Sequence, residues 1–208
     1  VKNLNTDIKF LFIDSENNLW VLSDRIFIYN HQLTLIKTIH NKQVSQPYKS
    51  MIEDNDKFWV STLGSGLFWI DKKTKTLIKS IVEKEVYENY INLVYKDNDN
   101  NIWLGSLNSL KLYSRESNSF YYYYSDEKIK NSMSTSGVLS FIRDREGSYW
   151  VLTSKGGVNV SVTKKKFVNI NVDSKNKIFL SKRIVSSILI DSDNNLLVGS
   201  FSAGIDLI

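Results

Sequence analysis

The 208-residue sequence contains no cysteine, only one proline and only two histidines, and these scarcities exclude whole classes of protein. Without cysteine there is no disulfide, no thiolate metal site and no cysteine nucleophile. His31 and His40 lie nine residues apart in a polar stretch, so we expect them to be solvated rather than metal ligands or members of a catalytic set. No run of eighteen apolar residues occurs, so this segment is not expected to contact a membrane directly.

The basic residues are scattered along the chain rather than concentrated in one stretch. The net charge is +5 and the isoelectric point is about 9.1, but only Lys164, Lys165 and Lys166 form a run. We expect that run to be a solvated hairpin turn, and we expect no nucleic acid to bind this segment.

An internal repeat organises the chain. Four tryptophans each follow an acidic turn and begin a short apolar strand, and in a fifth copy Leu197 replaces the tryptophan. The anchoring aspartates are spaced by 40, 43, 47 and 47 residues, and they are Asp14, Asp54, Asp97, Asp144 and Asp191. The repeated tryptophans are Trp20, Trp59, Trp103 and Trp150.

Each period contains four short segments rich in β-branched and aromatic residues, separated by turn residues. The third segments are 25–29, 66–70, 110–113, 157–162 and 204–208, and the fourth are 33–39, 76–82, 119–124 and 166–172, with none in the last copy. Four strands in about 40 to 47 residues are typical of one β-propeller blade. The sequence therefore predicts an all-β protein of about five four-stranded antiparallel blades, the last incomplete, in a single propeller segment. The predicted blades span residues 6–47, 48–88, 89–134, 135–181 and 182–208.

The repeated residues have structural reasons. Aspartate and asparagine bond their own backbone and tolerate positive φ, so we expect them to shape the turn between the first two strands. The tryptophan is expected to be a large apolar plug between neighbouring blades.

The repeated pattern, best seen in residues 144–158 and 97–106, resembles the two-component regulator propeller repeat. That family resemblance implies the periplasmic sensor region of a hybrid two-component histidine kinase of Bacteroidetes, an inner-membrane protein. It implies a seven-bladed propeller accompanied by other propeller and Ig-like domains, a glycan fragment as ligand, and control of polysaccharide-utilisation genes. The kinase would lie elsewhere in the parent protein. Five copies are too few for seven blades, so either five blades close, with residues 1–5 supplying an outer strand, or an open arc buries its faces on a partner, such as a second copy.

Two chemical patterns coincide with the blade turns. The spacing Asp97, Asp99, Asn101 copies the first half of a calcium loop, but Ile102 and Asn108 stand where glycine and glutamate are required. The turns also resemble the Asp-box of propeller sialidases, yet no outlying pair of carboxylates suits glycoside hydrolysis. The sequence therefore predicts no catalytic residue, metal or cofactor, and a propeller glycosidase is the least favoured function.

Candidate binding residues lie on the loops that join the second strand to the third and one blade to the next. Arg25, Asn108, Lys155 and Arg183 are polar residues on these loops that the repeat pattern does not explain. A basic residue there would suit an acidic glycan. Residues 120–124, Phe-Tyr-Tyr-Tyr-Tyr, fit either sugar stacking or packing. The sequence thus predicts a non-enzymatic, carbohydrate-sensing propeller segment, with a protein-interaction scaffold as the alternative.

Overall fold

The computed structural model shows an all-β chain. It describes residues 6–42, 44, 47–81, 89–115, 117, 119–126, 128–129, 132–135, 137–163, 166–170, 172, 180–182, 184–201 and 204–208. The site residue Arg183 and the suggested outer strand at residues 1–5 lie outside this set. Among the described residues no helix is long and apolar enough to cross a membrane.

The strands form five antiparallel sheets, each built from consecutive strands in chain order. They are β1 (Phe10–Ile13), β2 (Leu19–Leu22), β3 (Ile26–Tyr29) and β4 (Leu35–Ile39); β5 (Tyr48–Asp54), β6 (Lys57–Thr62), β7 (Leu67–Asp71) and β8 (Leu77–Ile81); β9 (Ile91–Lys96), β10 (Ile102–Ser106), β11 (Leu110–Ser114) and β12 (Ser119–Tyr123); β13 (Val138–Arg143), β14 (Tyr149–Thr153), β15 (Gly157–Thr163) and β16 (Lys166–Ile170); β17 (Val185–Ile190), β18 (Leu196–Ser200) and β19 (Gly204–Leu207). Four sheets have four strands and the last has three, which confirms the predicted blades.

Some segment boundaries differ from the sequence predictions for local reasons. Leu33 was expected to begin the fourth strand, but its φ of 59° places it in the left-handed region of a turn. Asn30 Oδ1 closes that turn by accepting the amide of Thr34 at 2.9 Å, so β4 begins at Leu35. Lys166 begins β16, as the predicted fourth segment 166–172 requires, so it does not lie in the hairpin turn that the lysine run also suggested; Lys164 and Lys165 lie outside the described residues.

The chain divides into two compact units, Val1–Lys96 and Asp97–Ile208. In the first unit, Trp20 and Phe58 are fully buried with ring centroids 4.5 Å apart. They belong to one cluster with aliphatic residues of β2, β3, β6 and β7. The predicted plug role of the repeat tryptophan is confirmed here, because the ring of one sheet packs on the second strand of the next.

The second unit repeats this packing. Trp103 lies 4.9 Å from Phe141 and 5.0 Å from Tyr149, both in the following sheet. A further cluster joins Leu152 and Val158 to Val185 and other aliphatic residues of β17 and β18. In both units, therefore, a repeat tryptophan packs on the sheet that follows it in the chain.

The residue that precedes the repeat aspartate also links neighbouring sheets. In the first unit, Glu53 accepts the Ser15 amide at 2.8 Å. In the second unit, Arg143 Nη1 lies 2.7 Å from Asp99 Oδ2. Each contact reaches the first turn of the preceding sheet, so neighbouring sheets are held by polar contacts at the turns as well as by apolar packing.

Candidate ligand-binding loops

The repeat aspartates form a carboxylate–indole hydrogen bond that recurs in four sheets. The donors and distances are Trp20 to Asp14 at 2.8 Å, Trp59 to Asp54 at 3.0 Å, Trp103 to Asp97 at 2.9 Å and Trp150 to Asp144 at 2.8 Å. A left-handed residue completes each of the five turns, and these residues are Asn17, Asn55, Asn100, Gly147 and Asn194. The turns therefore have the structural role that the sequence predicts.

Asp97 illustrates why a repeat carboxylate is poorly suited to acid catalysis or to metal binding. Its Oδ2 accepts hydrogen bonds from the Trp103 indole at 2.9 Å, the side-chain amide of Asn101 at 2.8 Å and the Tyr149 hydroxyl at 2.8 Å. Burial by itself would raise the pKa of Asp97, but these donors prevail and hold the pKa below its ordinary value. A carboxylate that is ionised and fully hydrogen-bonded is a poor general acid and has little capacity left for a metal.

The structure brings two of the predicted site residues onto adjoining loops. Asn108 and Lys155 are exposed in the second unit. A Cβ at Gly137 would lie 3.3 Å from the carbonyl oxygen of Leu107 and 2.7 Å from Ser154 Oγ. The loops that carry Asn108 and Lys155 therefore both approach Gly137, where an added Cβ would require the Ser154 hydroxyl to move. Arg25 lies in the first unit, exposed and paired with Asp24 at 3.2 Å.

A buried asparagine holds the loop that precedes β13, and sequence reasoning missed it. Asn159, on β15, is fully buried, and its Oδ1 accepts the Ser134 amide at 2.8 Å. Its Nδ2 donates to Ser134 Oγ at 3.1 Å, and that hydroxyl donates to the Gly156 carbonyl at 3.0 Å. One network thus joins the loop before β13 to the loop that contains Lys155.

The last sheet has an equivalent contact made by a different residue type. We call each of these two contacts, between a third-strand side chain and a serine of the preceding loop, a fastener. Asp206, on β19, accepts hydrogen bonds from both the amide and the hydroxyl of Ser181. Each fastener joins residues 25 positions apart, and this shared spacing is the signal that the sequence contained. In these two sheets, a polar residue at the third position of the third strand therefore holds the preceding loop in a defined position.

The tyrosine run contains one ring that packs in the protein and two rings that are exposed. Tyr123 packs on Trp103 with ring centroids 5.8 Å apart, which is a packing role. The rings of Tyr122 and Tyr124 lie parallel within 4° at 5.8 Å, and the two residues are 37% and 50% exposed. Two stacked, solvent-accessible phenol rings form a surface on which a sugar ring can stack.

Comparison with solved structures defines the fold class. The chain aligns over 97% of its length, with a TM-score of 0.76 and 20% identity, with the extracellular domain of a protein classed as a hybrid two component system, BT3049 from B. thetaiotaomicron. It aligns over its whole length, with a TM-score of 0.73 and 12% identity, with a catalytically inactive virginiamycin B lyase from Staphylococcus aureus in complex with quinupristin. These likenesses show a β-propeller fold, and the chain covers 26% and 71% of those two structures.

One repeat of the chain also matches a family model in sequence. Residues 88–108 match the family model of the two component regulator propeller. A second extracellular domain from B. thetaiotaomicron, of BT4673, aligns over 99% of this chain with a TM-score of 0.59 and 19% identity, and the chain covers 33% of it. No curated protein matches the chain in sequence. Residues 88–108 are thus similar to the two-component regulator propeller repeat, in agreement with the resemblance that the sequence pattern predicts.

Proposed function

We propose that this chain is the ligand-sensing propeller segment of a periplasmic region in a hybrid two-component sensor. The proposed ligand is a glycan fragment, and binding would regulate polysaccharide-utilisation genes through a kinase elsewhere in the parent protein. The observation that carries the proposal is the pair of adjoining loops with Asn108 and Lys155, of which the Lys155 loop is held by the hydrogen bonds between Gly156, Ser134 and buried Asn159. A loop that is already ordered loses little conformational entropy when a ligand binds.

The arrangement suits recognition rather than turnover. Lys155 provides a positive charge and Asn108 provides both a donor and acceptors, which are the groups that sugar hydroxyls and carboxylates require. The repeat carboxylates are hydrogen-bonded within their own turns. We therefore propose a binding module that performs no reaction.

The experiment is calorimetric titration of the protein with a panel of neutral and acidic oligosaccharides. We expect an acidic oligosaccharide to bind, and Lys155→Ala with Asn108→Ala to weaken the affinity at least about tenfold through lost charge-assisted hydrogen bonds. Arg145→Gln, an exposed cation on a first turn of the same unit, is the matched control and should leave the affinity unchanged. Equal loss in the control, or no binding by any oligosaccharide, would contradict the proposal.

A protein partner is the second candidate, and one observation favours it. Leu107 and Phe201 directly follow β10 and β18, the second strands of their sheets, and are 42% and 81% exposed. Exposed apolar side chains on ligand-facing loops suit a peptide or protein surface better than a sugar. Binding of a neighbouring domain of the parent protein that is lost in Phe201→Ser, with no oligosaccharide bound, would favour this alternative.

A further inference from the structure

A cluster of lysines lines two cavities in the first unit, away from the loops considered above. One cavity, of about 560 Å³, is lined by Glu16, Asp56, Asp71, Lys72, Lys73 and Lys75. The other, of about 550 Å³, is lined by 37–42 and 75–77. We call the two together the lysine cleft; Lys75 lines both cavities. Each volume is within the range of small-molecule sites.

Lys75 occupies a constrained position. Its φ is 52° and its amide donates to the Asp71 carbonyl at 2.9 Å, so the backbone of the turn between β7 and β8 fixes where the side chain begins. Its ammonium lies 5.4 Å from the ring centroid of Trp20 and 5.3 Å from that of Phe58. The two buried rings therefore form an aromatic floor beneath the charge, an arrangement that stabilises a cation.

The Lys75 ammonium has unused hydrogen-bonding capacity. Its Nζ is buried and has no hydrogen-bond partner among the residues that the structure describes. It faces Glu16 Oε2 at 3.9 Å, too far for a hydrogen bond. An ammonium group has three donors, and leaving them unsatisfied away from water costs free energy. An acceptor entering the cleft would remove that cost.

The charges around Lys75 favour an anion as that acceptor. Lys37, Lys42 and His40 line the second cavity, and no carboxylate is among its described lining residues. On the other side, the Asp71 carboxylate already accepts the amide and hydroxyl of Thr74 at 2.7 and 2.8 Å. These hydrogen bonds hold the pKa of Asp71 below its ordinary value.

We propose that the lysine cleft binds a small ligand through an oxyanion, a carboxylate or a sulfate group, with Lys75 as the anchoring cation. The oxyanion supplies an acceptor to the Lys75 ammonium on the side away from the Trp20 and Phe58 rings, and Lys37 adds long-range attraction. Glu16 competes for the same ammonium, so it limits the affinity. The site is separate from Asn108 and Lys155, which belong to the other unit.

The test is NMR titration of the chain with sodium sulfate, D-galacturonate and neutral D-galactose at constant ionic strength. Because Trp20 lies under Lys75, its indole N–H resonance should shift when an anion binds. A shift with sulfate, with D-galacturonate or with both shows whether the site recognises a sulfate group, a carboxylate or either. Galactose should leave it in place. Trp150 is the internal control because it lies in the second unit, and its resonance should stay unchanged.

Two variants should change the affinity in opposite directions. Lys75→Met keeps the aliphatic stem over the rings and should weaken anion binding at least about tenfold. Glu16→Gln removes the competitor and should strengthen it about two- to fivefold. Arg145→Gln, which changes an exposed cation of the other unit, should have no effect. Unchanged affinity in Lys75→Met, weaker binding in Glu16→Gln, or no shift with either anion would overturn the proposal, and Glu16→Gln alone tests it if Lys75→Met does not fold.

Discussion

At the scale of single residues, the bond between the repeat aspartate and the tryptophan indole has two effects. It satisfies a donor that would otherwise be buried unpaired, and it holds the indole in one rotamer so that its ring packs on the next sheet. The sequence predicts a turn residue and a plug but not the bond between them, because the bond depends on the rotation of the indole. The recurring interval of five or six residues between aspartate and tryptophan is consistent with this contact.

Replacement of the Asp97 carboxylate should destabilise the protein. Asp97→Asn leaves Trp103 and Tyr149 competing for one weaker acceptor, so we expect a loss of about 1–3 kcal/mol in the free energy of unfolding at neutral pH. Urea denaturation measures it. Asp191→Asn is the matched control, because Leu197 offers no indole and the carboxylate bonds only its own turn, and it should cost less than half as much.

The same variant should have a characteristic pH dependence. The pKa of Asp97 is lowered on folding, so its stabilising effect is complete above the ordinary value near 3.8 and is lost as the pH falls through the folded-state value. The difference in melting temperature between wild type and Asp97→Asn should therefore be constant above about pH 5 and shrink below about pH 4. A constant difference down to pH 2 would show that the carboxylate charge has no such effect.

At the scale of elements, the fourth and fifth sheets each hold the preceding loop through their own third strand. Ser134 bonds Asn159 on β15, and Ser181 bonds Asp206 on β19. The alternation of apolar residues predicts those strands well because strand periodicity is local. It does not predict the fasteners, because asparagine and aspartate at a strand position are usually solvated, and only the folded loop shows what they face.

Removal of one fastener should loosen one loop only. Asn159→Ala leaves the Ser134 amide without its acceptor, so hydrogen exchange at Ser134 should accelerate at least about tenfold. Exchange at Ser181 should stay the same, and Asp206→Ala should give the reverse result. NMR-detected hydrogen exchange measures both amides in one sample. Equal acceleration at both serines in either variant would mean that the loops loosen through general destabilisation instead.

At the scale of the whole molecule, the first and last sheets each leave an apolar face uncovered. Leu11 and Ile13 on β1 are 58% and 66% exposed, and Leu189 and Leu207 of the last sheet are 61% and 68% exposed. The residues that correspond to Leu11 in the three middle sheets, Met51, Val94 and Phe141, are buried. The repeat pattern predicts blade faces of this kind, whereas the number of blades in the intact ring depends on sequence that five repeats do not contain, so seven blades stays a prediction.

These faces should make the chain associate in solution. We expect light scattering on a sizing column to give a mass above the 24.1 kDa of one chain, increasing with concentration. Ile13→Lys with Leu189→Lys should restore the mass of a single chain, and lysine fits the first position because β9 carries Lys96 there. Leu107→Lys, on a loop, is the control and should leave the mass unchanged. A single-chain mass for the wild type at all concentrations would contradict this expectation.

The fasteners also define which segment must be duplicated or recombined as a unit if each sheet is to keep its preceding loop. Ser134 lies before β13 yet bonds β15 of the same sheet, so a blade includes the loop ahead of its first strand. A recombination event with its junction at Val138 would separate Ser134 from Asn159, whose side chain accepts the hydrogen bond of the Ser134 amide. A junction just before Ser134 or Ser181 would keep each pair together, so duplication of this stretch would copy a sheet already equipped with its own loop.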